Sequence, residues 1–194
     1  MNAANPKKFD LDRFIADCCA ALASSERQKA MRIVVQQAIS APAAIMAMVG
    51  EPRRAELQKL HVSPELTILN LFWAPGMRFI PHNHNMWATI GIYQGQEDNV
   101  FWRRLDDPAA KGRIEPAGAK SLMAGDVITL GYDIIHSVTN PTTRFTSALH
   151  VYAGDFFAAS RSAWDPVALT ERAFDTAEAA RAFEDANAAL TAPD

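Results

Sequence analysis

The stretch Pro81–Trp87, PHNHNMW, decides how the middle of this chain is read. It sets His82 and His84 one residue apart in a protein with only five histidines. On an extended strand, residues i and i+2 point to the same side, so the two imidazoles project together. That geometry suits two cis ligands on one metal ion. A third ligand must come from elsewhere in the chain, and His136 and His150 are the candidates.

The surroundings of the pair carry a pattern of glycines. Gly76-x5-His82-x-His84 is followed by Gly95, and much later comes Gly125-x5-Gly131-x4-His136-x3-Asn140. The flanking segments ELTILNLFW, WATIGIYQG, DNVFWRR, GDVITL and FTSALHVYAGDFF are rich in β-branched and aromatic residues, and turn-forming residues separate them. Many short strands at short intervals imply an antiparallel sandwich or a small barrel over residues 61–158. Residues 1–60 read as helical: Leu11, Phe14, Ile15, Cys18 and Leu22 fall at helical spacing behind Asp10, and Ser25 and Gln28 form a capping-box pattern before the next helix. Residues 159–194 read as a helical tail, with Asp175 or Thr176 as cap and Ala179, Phe183, Ala186 and Leu190 on one face. The expectation is one domain spanning residues 1–194.

Composition narrows the function classes. A net charge of −3 gives no electrostatic footprint for nucleic acid or for an anionic membrane surface. No apolar run reaches the ~20 residues that cross a bilayer. The opening MNAANPKKFDLDRF lacks the apolar centre of a secretory signal, so a cytoplasmic location is expected. Cys18 and Cys19 are neighbours, which seldom bridge one another, and two reduced thiols with at least one in the core are expected.

The histidine–glycine pattern resembles the two motifs of the cupin superfamily, which implies a mainly β fold: a double-stranded β-helix, or jelly-roll barrel. The resemblance implies metal binding at His82, His84 and His136. Many cupins carry a glutamate ligand four or five residues after the second histidine, where this chain has Ala88 and Thr89. Three neutral imidazoles with no anionic ligand are therefore expected, and Glu97 is read as a solvated charge. Within the superfamily, SALHVYAGDFF resembles the Ser-x-His-x-Tyr strand of the thiol dioxygenases, the cysteine dioxygenase family, with His150 and Tyr152 in the catalytic positions. That resemblance covers about residues 60–157. It implies a resident Fe(II) and the oxidation of a small thiol, such as cysteine or a 3-mercaptopropionate-like acid, by O2 to a sulfinic acid.

Three departures qualify it. Ala148 stands at the serine position, although Thr146 shares its face and Ser147 is adjacent. Ala88 or Thr89 stands where some members carry a crosslinking cysteine. The carboxylate-binding arginine has no counterpart in register, leaving Arg53, Arg54, Arg78, Arg103 and Arg104 as candidates, with Arg103 and Arg104 favoured as surface residues. Trp73, Trp87 and Trp102 read as barrel packing, Trp87 being close enough to the ligands to line a pocket. Two other readings stay open: a three-histidine dioxygenase that cleaves a C–C bond of a diketone, and a non-catalytic metal- or ligand-binding cupin.

Overall fold

The computed structural model describes residues 9–191. Three helices come first: α1 (Leu11–Ala23), α2 (Arg27–Ile39) and α3 (Pro42–Val49). Asp10 caps α1 by accepting a hydrogen bond from the Arg13 N–H at 2.9 Å. The expected capping box ahead of α2 does not form. That helix starts at Arg27, and the Ser24 hydroxyl accepts from the Glu26 N–H. Eleven strands follow: β1 (Glu56–Val62), β2 (Thr67–Trp73), β3 (Arg78–Asn83), β4 (Ala88–Gln94), β5 (Gln96–Arg104), β6 (Ile114–Met123), β7 (Val127–Leu130), β8 (Ile135–Thr139), β9 (Thr146–Tyr152), β10 (Ser162–Trp164) and β11 (Glu171–Ala173). Helix α4 (Thr176–Thr191) ends the described chain.

Two antiparallel sheets result, ordered β1-β2-β9-β4-β7 and β11-β10-β3-β8-β5-β6. From β2 to β9 the chain alternates between the sheets except at the β5–β6 hairpin, as in an eight-stranded jelly roll, with β1 added to one sheet and β10–β11 to the other. The expected fold class is the one found. The segment limits differ: β1 begins inside the stretch read as helical, and β10 and β11 lie inside the tail read as helix. Strand β1 is half-exposed along its length, so its sequence ELQKLHV lacks a clean period of two. Three-residue strands are too short to show any period.

Strands β2 and β9 are buried at every position because both faces of their sheet are covered. Outward-facing Ile68, Phe72, Tyr93, Leu149 and Val151 pack against Phe14, Cys18, Met31, Val35 and Ile39 of α1 and α2. Inward-facing Leu69, Leu71, Ile90, Ile92, Ala148 and Tyr152 fill the barrel. Contact between α2 and β4 depends on Gly91, where an added Cβ would lie 2.6 Å from Val35 Cγ1 and 2.9 Å from Ile39 Cγ2. Cys18 belongs to this buried layer, and burial pushes its thiol up to about 12, leaving it protonated and inert. Among the described residues no single helix is long and apolar enough to cross a membrane; α2 and α3 are so only as a pair, bent by 80°.

The motif residues around the histidines act in turns. Asn140 donates from Nδ2 to the carbonyls of Trp73, Ala74 and Arg144 and accepts from the Thr142 N–H, tying the β2–β3 turn to the β8–β9 turn. Gly95, at φ 77°, joins β4 to β5, and a Cβ there would sit 2.5 Å from Thr146 Oγ1 and 2.8 Å from the Phe145 carbonyl oxygen. Gly95→Ala should therefore destabilise the fold by at least the ~1–2 kcal/mol of a left-handed residue, with the clash added, read as a lower midpoint in chemical denaturation.

Candidate metal centre

Strands β3 and β8 are antiparallel neighbours, and their register sets His82 directly opposite His136. A register shift between Phe79 and His82 re-aims the end of β3. His84 follows one residue beyond the strand. The imidazoles converge: His84 Nε2 lies 3.2 Å from His82 Nε2 and 3.3 Å from His136 Nε2. All three are buried, and they form a group able to hold a metal ion.

Two of the rings have their tautomers fixed. His82 Nδ1 donates to the Ile80 carbonyl at 2.9 Å, and His136 Nδ1 donates to Asn99 Oδ1 at 2.7 Å. Both therefore present an Nε2 lone pair to the centre. A single Nε2–H on His84 could satisfy only one of them, so the donor set suits a cation at the common point. Nitrogens bound at ~2.0–2.1 Å to one ion stand roughly 3.0–3.4 Å apart, which matches the spacing here. Desolvation moves His82 down to about 4 and holds His84 and His136 well below the ordinary histidine range. The rings are neutral at physiological pH, as ligands must be.

Behind His136 stands a group the sequence reading assigned to solvent. Glu97 is fully buried; its Oε1 accepts from Asn99 Nδ2 at 2.9 Å, completing a chain from Glu97 through Asn99 to His136. Burial raises the carboxyl to about 7, opposed by hydrogen bonding from Asn99 and from the Trp73 indole. The indole contact is imperfect, since neither Glu97 Oε2 nor Trp73 Nε1 has an aligned partner. The correction has a simple cause. Glu97 is paired with Leu122 on an interior strand of its sheet, whereas proximity to the Gly95 turn suggested a surface position.

His150 and Tyr152 share the inward face of β9. His150 Nδ1 lies 3.0 Å from the Tyr152 hydroxyl, and the phenol ring stands edge-on to His84 at 5.0 Å between centroids. Desolvation takes His150 down to about 3 and raises the phenol above its ordinary range, so both are uncharged. His150 Nε2 is buried without a partner. No hydroxyl supplies one: position 148 is alanine, Thr146 Oγ1 donates to the Gln96 carbonyl, and Ser147 Oγ donates to Gln94. Ala88, directly opposite Tyr152 across β4 and β9, offers no group for a crosslink.

The arginine near this cluster is Arg161, which was not among the sequence candidates. It is 8% exposed, and its guanidinium lies 3.9 Å over the Phe156 ring and 4.1 Å over the Phe174 ring. Its Nε and Nη1 are buried with no hydrogen-bond partner. Its charge depresses His82 and His84, which places it within electrostatic reach of the cluster. By contrast, Arg103 pairs with Glu115 and Arg104 with Glu171 on the surface, as favoured from the sequence, and Arg53 and Arg78 are exposed; of the sequence candidates, Arg54, also exposed, lines the cavity that opens onto the cluster.

The asparagines interleaved with the histidines position Arg161. Asn83 Oδ1 accepts from the Ser162 N–H at 2.8 Å, Asn85 Nδ2 donates to the Ser160 carbonyl at 2.8 Å, and Asn83 Nδ2 donates to Asn85 Oδ1. Asn85 takes the left-handed conformation at φ 50°, which asparagine tolerates. One short sequence thus presents two imidazoles to the centre and grips the segment carrying the cation.

A cavity of about 490 Å³ opens onto the three histidines, His150, Tyr152 and Arg161. Trp73 lines it, packed against Phe79 and Phe183. Trp87 instead packs with the helical layer, and Trp102 donates to Ser137 Oγ.

No established family profile matches the chain. Among solved structures it is similar to an RmlC-like cupin family protein with a double-stranded β-helix fold from Methanocaldococcus jannaschii, at 14% identity over 56% of this chain and 87% of that one, TM-score 0.44. An uncharacterised conserved protein with a double-stranded β-helix domain from Klebsiella pneumoniae matches at 13% identity over 59% and 88%, TM-score 0.44. A Cupin 2 conserved barrel domain protein from Salinispora arenicola matches at 22% identity over 50% and 74%, TM-score 0.39. The barrel topology, rather than these distant similarities, defines the fold, and within it stands a three-histidine cluster suited to a metal ion.

Glu97 gives a pH test of this interior. Folding raises its pKa from 4.5 to about 7. A carboxyl raised in this way stabilises the protein below its unfolded pKa, and the contribution is lost as pH rises through the folded value. Relative to Glu97→Gln, the metal-free wild type should lose on the order of 3 kcal/mol between those limits. Denaturant midpoints of the two proteins measured across pH give the difference, in which the histidine contributions cancel.

Proposed function

We propose that the protein is a non-haem Fe(II)-dependent thiol dioxygenase that converts a thiol and O2 to a sulfinic acid. The carrying observation is the convergence of three buried, neutral imidazoles beside Tyr152 and an unpartnered Arg161. His82, His84 and His136 would hold the ion through Nε2, and the absence of a carboxylate ligand preserves its double positive charge. When bound, such an ion supplies Lewis acidity and redox capacity, lowering the pKa of a coordinated thiol and promoting RSH + O2 → RSO2H, in which both oxygen atoms go to sulfur.

The chain's own groups do the rest. Arg161, held between two phenyl rings, offers its free N–H groups to a substrate carboxylate, a pairing strengthened by the dry surroundings. The Tyr152 hydroxyl, oriented by His150, is a protonated hydrogen-bond donor near the reacting end of the substrate. The apolar walls offer water few hydrogen-bonding partners. The resemblance of SALHVYAGDFF to the thiol dioxygenases supports iron and a thiol, while the missing serine at 148 marks a difference within that pattern.

The apolar cavity wall also favours a second reading, cleavage of a C–C bond in a diketone at the same three-histidine centre. Product analysis separates them: sulfinic acid in one case, carboxylic products in the other.

Iron-loaded protein should consume O2 with a thiol acid and release the sulfinic acid, read by oxygen electrode and mass spectrometry; no uptake across a thiol panel at full iron occupancy would sink the reading. Alanine at His82, His84 or His136 should abolish stoichiometric metal binding. Tyr152→Phe should keep the metal and lose about tenfold to a hundredfold in kcat, the usual cost of removing an outer hydrogen-bonding partner. A sensor protein would show no turnover to lose.

A further inference from the structure

The cavity is far larger and more apolar than a compact amino-acid thiol requires. At ~30 Å³ for each non-hydrogen atom, the share of a water molecule in the liquid, about 490 Å³ holds roughly sixteen such atoms. Beyond the histidines and Arg161 its wall includes the apolar Leu57, Leu71, Phe79, Val138, Phe174 and Phe183, and one further cation, the exposed Arg54. Phe183 belongs to α4, which lies across the cavity and is clamped to the barrel by Asn187, bonded to both the N–H and the carbonyl of Ala55 at 2.6 and 3.0 Å. Among the described residues the carboxylates lining the cavity are Glu56, half-buried and engaged by Gln58, and Glu184, which is exposed. An ammonium group held near the histidines would find no partner, whereas an anionic group finds Arg161.

We infer that the substrate is an amphipathic organic acid without an amino group: a carboxylate on Arg161 and an aromatic or branched aliphatic body beneath α4, in contact with Phe79, Leu71 and Phe183. The inference rests on the proposed dioxygenase for its chemistry, but the binding preference stands on the cavity alone. Burying a ring against such a wall is worth about 1.5–3 kcal/mol, which is roughly tenfold to a hundredfold in affinity.

The test uses zinc-loaded full-length protein, in which no oxidation occurs, and calorimetric titration with 3-phenylpropionate, propionate and cysteine. 3-Phenylpropionate should bind at least about tenfold tighter than propionate, and cysteine no better than propionate. Arg161→Met should weaken 3-phenylpropionate by about thirtyfold or more, the cost of removing one partner of a buried ionic contact, and should shift preference towards neutral 3-phenylpropionamide. Ala179→Trp, on a helix with no fully buried residue and facing the cavity, should exclude the phenyl acid while leaving propionate affinity unchanged. Equal binding of the phenyl acid and propionate, or preferential binding of cysteine, overturns the inference. Oxygen uptake assays on the iron-loaded protein then separate the two ideas. Phenyl-acid binding with no uptake for 2-mercapto-3-phenylpropionate, or for any other thiol, leaves the substrate class standing and removes the dioxygenase. Turnover of cysteine without phenyl-acid binding does the reverse.

Discussion

Three uncharged imidazoles buried together, with their Nε2 atoms aimed at a common point, are the constraint around which the rest of this barrel is arranged. Such a set is unfavourable unless a cation joins it, because buried acceptors without donors forfeit their hydration. The protein enforces the arrangement from behind. The Ile80 carbonyl and Asn99 take the Nδ1 protons, so Nε2 has no role except as a ligand. Glu97 in turn fixes the Asn99 amide, so the orientation of His136 is determined three groups deep. The jelly-roll crossing is what brings β3 and β8 side by side although most of the barrel lies between them in sequence.

Charge inside this barrel is sparse and directional. Desolvation raises the Glu97 carboxyl to about 7, so that it is only partly ionised at physiological pH, and keeps the histidines and Tyr152 uncharged. Arg161 is the exception, retained by cation–π contacts with Phe156 and Phe174 instead of by a carboxylate. A buried cation held without a counter-ion, beside a site suited to a dication, creates a positive potential that an anionic ligand would relieve. The same apolar surroundings that make Arg161 costly also make it selective.

The sequence made the barrel legible because its central strands are strongly β-branched and aromatic and its turns carry glycines that only positive φ explains, as Gly95 shows against Thr146. His82 and His84 were legible through spacing, since a period of two fixes a common side regardless of tertiary detail. His136 and the His150–Tyr152 pair were legible only because the glycine pattern and SALHVYAGDFF resemble known motifs. Edge strand β1 was not, because half-exposure erased its alternation.

What the sequence determined by itself, then, is local: which residues alternate, where the chain must turn, and which side chains can bind a metal. Tertiary structure alone decided who stands behind and opposite them. Glu97 and Asn99 reach His136 across two paired strands, and Arg161 reaches the cluster from a segment gripped by Asn83 and Asn85. Pairing across a sheet and burial beneath a helix depend on contacts between residues distant in the chain, and no periodicity encodes them. Whether a lone glutamate or arginine is solvated or held in a dry interior is settled only when the fold closes over it.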